Sequence, residues 1–143
     1  CSISIIFLKK LIENSMLITI PVSVGELADK ITILEIKQMN INDKIKIRSV
    51  NRELKLLKDI AKKNSIFDKY NKSLLLKLKK INLKLWNIED RKRKCEKNKD
   101  FGKKFIKLAR DVYLLNDKRA LIKLEINILC DSNIIEIKSY DKY

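Results

Sequence analysis

The chain contains no histidine, two glycines, one proline and one tryptophan among its 143 residues. Lacking histidine, it lacks the commonest general base and every triad or dyad built on one. Gly25 and Gly102 cannot supply a P-loop or a dinucleotide-binding turn, which need several glycines within a short span. Cys1, Cys95 and Cys130 are odd in number, far apart and outside any Cys-x-x-Cys spacing. Zinc and redox motifs are therefore unsupported, and a reduced, cytoplasmic setting is expected. The apolar run from Ile3 to Leu8 is too short to span a bilayer, and it has neither a preceding basic residue nor a small-residue cleavage site. No cofactor, no metal ion and no membrane is expected as a partner.

What is present is apolar periodicity with few interruptions. Hydrophobic residues make up 45% of the chain, enough to build one core at this length. Scarce glycine and proline let the periodic segments run long, which gives a mainly α fold. Ser23-Val24-Gly25-Glu26 reads as a capping box, with Ser23 at N-cap and Glu26 at N3. The helix that follows carries Leu27, Ile31, Leu34, Ile41 and Ile45 on one stripe, then shifts register near Asp43 to Ile47, Val50, Leu54 and Leu57. Asp43 can cap a new helix, so the first helix is kinked or split there; a continuous helix that changes register is the favoured form. Leu74, Leu78, Ile81, Leu85 and Ile88 mark a second long helix, reaching about Cys95. Asp100 can cap a third, running from near Phe101 to near Cys130. Residues 17–22 (LITIPV) and 133–140 (NIIEIKSY) are β-prone. The expected architecture is an antiparallel helical bundle of three long helices, the first kinked or split, with short β segments at the N- and C-terminal ends. If the first helix splits, both ends of the domain come together. Residues 16–143 read as a single helical domain, and residues 1–15 as a poorly ordered upstream extension foreign to the native protein.

The net charge is +15, and lysine supplies 27 of the 33 basic residues. Lysine, isoleucine and asparagine share A/T-rich codons, which accounts for much of this excess without any ligand. Lys77, Lys80, Lys84, Arg91 and Lys94 lie along one side of the second helix and would neutralise phosphates non-specifically. No helix-turn-helix, aromatic RNA-binding motif or zinc module accompanies them. Specific nucleic-acid recognition is not expected, and a solvated lysine face is the simpler reading.

One cation breaks the pattern. Phe105, Leu108, Val112, Leu115, Ile122, Ile126 and Leu129 form the third helix's buried stripe, and Arg119 occupies the position between Leu115 and Ile122. An inward-facing cation needs an anionic partner or a ligand. Polar rows that could face it are Glu26, Asp29, Lys30 and Lys37 on the first helix, and Asn82, Trp86, Glu89 and Arg93 on the second. On the third helix they are Arg110, Tyr113, Asn116, Asp117, Arg119, Lys123 and Asn127; the candidate site takes all of these rows except Lys37, Asn82 and Asn127. Two functions fit these residues. In the first, they form a structural ion-pair network inside a helical binding or assembly module that self-associates. In the second, they line a cleft in which Arg93, Arg110, Arg119 and Lys123 clamp an anionic small molecule, in an enzyme or sensor. Arginine in a chain this rich in lysine favours a role for the planar fork. Glu26-x-x-Asp29 and Glu89-Asp90 resemble a magnesium site only weakly, since adjacent helical residues point about 100° apart.

The segments PVSVGELADKITILEIK (21–37), NLKLWNIEDRKRKCE (82–96), FIKLARDVYLLNDKRALIKLEIN (105–127) and SNIIEIKSY (132–140) together resemble a family of small helical proteins of bacteria and phages, a domain of unknown function. Lys92 stands where that family tends to be apolar, and Ala28 where it carries a bulkier aliphatic. The resemblance implies membership and assigns no catalytic residue. It also directs attention to surface-polysaccharide pathways, in which a nucleotide sugar would be the anionic metabolite.

Overall fold

Ser23 starts the first helix as its N-cap, its hydroxyl accepting from the Glu26 N–H at 3.1 Å. The computed structural model describes residues 16–67 and 71–139, which fold as four helices. These are α1 (Val24–Asn40), α2 (Lys44–Lys63), α3 (Lys72–Lys97) and α4 (Lys103–Leu129). Of the two forms left open near Asp43, the split is the one adopted. Ile41 leaves the helix in an extended conformation, and the Asp43 carboxylate accepts from Ile45 N–H at 2.9 Å and Lys46 N–H at 3.0 Å. Those two bonds hold its pKa below the usual carboxylate value. The favoured continuous helix is thus corrected to two helices, because a carboxylate that satisfies two orphan N–H groups makes a new N-terminus stable.

α1 is the central helix. Leu27, Ala28, Asp29, Ile31, Thr32, Leu34 and Ile36 are all buried, so it is enclosed on more than one stripe. It packs against α2, α3 and α4, while α2 packs on α1 alone and α3 pairs with α4. One core cluster joins Leu27, Ile31 and Leu34 to Val50, Leu54 and Ala61 of α2. A second joins Ala28 to Leu74, Leu78 and Ile126. A third, Ile88, Cys95 and Leu108, belongs to α3 and α4 only. α3 and α4 have 26 and 27 residues against 17 in α1, so at about 1.5 Å per residue their paired ends outrun it.

Three helices end the same way without glycine. Ser65, Lys99 and Asp131 take positive φ (53°, 55° and 48°), and the next residue's N–H returns to the helix. Those bonds are Ile66 to Ala61 O at 3.0 Å, Asp100 to Cys95 O at 2.9 Å and Ser132 to Asn127 O at 2.8 Å. This is the Schellman arrangement, with non-glycine residues in the left-handed position. Asp100 does not cap α4 directly; its carboxylate accepts from Gly102 N–H at 3.3 Å, and Gly102 is the N-cap.

The β segments are a second correction. Among the described residues there is no strand. Leu17, Ile18, Ile20 and Ile137 stand in the open with no ladder beside them, and β propensity alone does not make a sheet. The described flanking segments do meet at the start of α1, where Val24 N–H donates to Ser132 Oγ at 3.1 Å. The expectation for residues 1–15 lies outside the described residues, as does the last residue of the 133–140 segment. No described helix is long and apolar enough to cross a membrane.

Candidate functional site

The start of α1 lies directly on the end of α4 because Gly25 has no side chain. A Cβ there would sit 2.5 Å from the Lys123 carbonyl oxygen and 2.9 Å from Asn127 Oδ1. At that approach Gly25 N–H donates to Asn127 Oδ1 at 2.6 Å. The N–H groups of Val24, Gly25 and Glu26 are therefore all engaged by side chains, from Ser132, Asn127 and Ser23 respectively. The Glu26 carboxylate turns to Lys123, so only the Ser23 half of the expected capping box forms.

Successive turns of the two antiparallel helices bring opposite charges together. Lys123, 9% exposed in its side chain, donates to Glu26 and, at 2.8 Å, to Glu136 from the C-terminal segment. One turn further along α1, Asp29 is 1% exposed. Its Oδ1 accepts from Arg119 Nε at 2.9 Å and Asn82 Nδ2 at 2.8 Å, and its Oδ2 accepts from Arg119 Nη2. Asn82 Nδ2 also donates to Thr32 Oγ1 at 2.9 Å, and the Thr32 hydroxyl donates to the Asp29 carbonyl at 2.8 Å. Arg119 Nη1 reaches Asn116 Oδ1 at 3.3 Å. The side-on fork of arginine on a buried carboxylate is the geometry that lysine cannot reproduce.

The titration behaviour follows from these contacts. The hydrogen bond to Asp29 raises the Arg119 pKa further, against the opposing effect of burial. Burial alone would lower the Lys123 pKa, but its bonds to Glu136 and Glu26 outweigh it and the net shift is upward. The bond from Lys123 holds Glu136 below its ordinary value, with burial opposing. Arg119 and Lys123 thus meet three carboxylates, Glu26, Asp29 and Glu136, and carry no positive charge left over for an anion.

Of the other residues expected in this site, Arg110, Tyr113, Asp117 and Lys30 fall elsewhere, while Trp86, Glu89 and Arg93 border it. Arg110 is nine positions from Arg119, half a turn round the helix, and lies in a shallow depression with Lys103, Lys107 and Asp111 on the outer side of α4. Tyr113 and Asp117 share that outer side. The four-cation clamp is therefore not assembled. Lys30 is exposed and pairs with Glu53 of α2 at 2.7 Å. Trp86, half-buried, lines a groove of about 340 Å³ with Asn82, Glu89, Asp90, Arg93 and Arg119. Glu89 is held by Lys92 at 3.3 Å, and Asp90 brings a second carboxylate to the same wall. Among the described residues no group of three or more His, Cys, Asp or Glu side chains could hold a metal ion.

Gly25, Thr32 and Glu136 complete the network and belong to none of the expected polar rows, while Asn82 and Asn127 belong to those rows but not to the expected site. A signal existed for the first: one of only two glycines in the chain sits inside a helical first turn, where it costs stability unless close approach requires it.

The family of unknown function DUF6165 matches residues 18–143, and the chain belongs to that family. No curated protein and no solved structure matches it. It is a helical module of that family with a buried charged network at its centre.

Proposed function

We propose that this protein is an assembly module that associates with copies of itself through the outer side of α4, and that its buried charges serve the fold. The observation that carries the reading is a second apolar stripe on α4. Ile106, Tyr113, Leu114, Leu121, Leu124 and Ile128 recur at heptad spacing on the exposed side of α4, with Leu121 at the edge of the seam with α3, and Leu121 and Ile128 are 61% and 62% exposed. Single exposed leucines are ordinary, but a contiguous stripe on a helix of 27 residues marks a contact surface. Arg110 and Asp117, one heptad apart within this stripe, carry opposite signs.

The buried network supports the same reading by exclusion. A binding cleft for an anionic metabolite needs cations with capacity to spare, and Arg119 and Lys123 have none. The test is size-exclusion chromatography with light scattering on the purified chain. Association predicts a mass that is a multiple of 16.8 kDa at tens of micromolar. A monomer at 100-fold higher concentration rejects the reading.

A further inference from the structure

α2 and α3 both flank α1 without packing on each other, which leaves a groove of about 690 Å³ between them with α1 as its floor. Ile31, Phe67, Leu75 and Leu76 make its wall apolar. Glu35 of α1 sits in the floor, with one carboxylate oxygen on Lys58 of α2 and the other on Lys79 of α3, both at 2.7 Å. Burial would raise the Glu35 pKa, but its bonds to Lys58 and Lys79 outweigh this and hold it below its ordinary value. Lys62 stands on the same rim and has no acidic partner among the described residues. Two lysines from two helices thus hold one carboxylate and a third stands on the rim, so the groove is apolar along its length and positive at its edge.

We propose that this groove binds a single-chain amphiphile with a carboxylate head, such as a fatty acid. The volume lies in the range of small-molecule sites, which combine an apolar lining with a few placed polar groups. The alkyl chain would lie along Ile31, Phe67, Leu75 and Leu76, and the head would complete the lysine set that Glu35 half neutralises. A polyanion such as a nucleotide would leave the apolar wall unused, and a cationic amphiphile would meet three like charges. This site shares no residue with the outer stripe of α4.

Isothermal titration of the full chain with decanoate, dodecanoate and tetradecanoate, each below its micelle concentration, tests the assignment. Binding is expected to tighten about fourfold per added methylene, while acetate and dodecyltrimethylammonium give no signal. Leu76→Asp, an exposed change that puts a negative charge in the groove, and the double change Lys62→Gln/Lys79→Gln are each expected to weaken dodecanoate at least tenfold. Leu121→Glu on α4 should leave it unchanged. The proposal is overturned by absence of binding to all three carboxylates, by equal binding of the cationic amphiphile, or by loss through Leu121→Glu with Leu76→Asp silent.

Discussion

Asp29 is the residue on which the α1–α4 contact turns. With its carboxylate buried and held by Arg119 and Asn82, removing one partner leaves an uncompensated charge or its desolvated complement. Arg119→Met or Asp29→Leu alone is expected to cost about 3–5 kcal/mol in urea unfolding. The double change should recover most of that, since a well-packed apolar pair replaces a buried ion pair at little loss. Gly25→Ala is expected to lose about 1–3 kcal/mol by overpacking, because the added Cβ meets the rigid Lys123 carbonyl and not a flexible tip. Acid sensitivity has a definite sign. Glu35 and Glu136 titrate below their ordinary value of 4.5 in the folded state, so their stabilisation is present above that pH and lost as pH falls through the folded values. Lys123 is shifted above 10.5, so its contribution persists below that pH and disappears on the far alkaline side. Melting temperature should fall below pH 4.5, and Glu35→Gln should flatten part of that fall. Arg119 was legible because a cation interrupted an apolar heptad. Asn82 and Asn127 fell in the polar rows but not in the candidate site, since a buried amide is no different in sequence from a solvated one until its partner is placed.

At the scale of elements, the apolar stripes located every long helix and Asp43 marked the split, although sequence could not weigh two capping bonds against helix continuity. The α3 stripe drifted from expectation: Asn82 is buried while Ile81 and Leu85 are only half-buried, because α1 crosses that face. The terminal β-prone segments failed for a related reason, as each needs a neighbour to complete a ladder and has none among the described residues. Helix ends offer a direct check. Lys99 sits at positive φ in the α3–α4 turn, a conformation glycine adopts without steric cost. Lys99→Gly is expected to stabilise by about 0.5–1 kcal/mol, the steric relief exceeding the added unfolded-chain entropy. A drop in melting temperature would show that the lysine side chain contributes more than its strained backbone costs.

For the whole molecule, α4 has two sides: an inner side whose charges are matched by α1 and the C-terminal segment, and an exposed outer side that the proposed self-association would use. Composition concealed this division, because the lysine excess suggested an anion and drew attention to charge over the second apolar stripe. Heptad counting contained it, since Arg110 and Arg119 are half a turn apart and cannot serve one site. Sedimentation equilibrium of the wild type beside Leu114→Glu/Leu121→Glu and, as a control on α3, Leu76→Glu tests the central claim most directly. The account predicts an associated wild type, an associated Leu76→Glu variant and a monomeric α4 double variant, all with the same helical circular dichroism. A monomeric wild type, or equal dissociation by the α3 change, would contradict it.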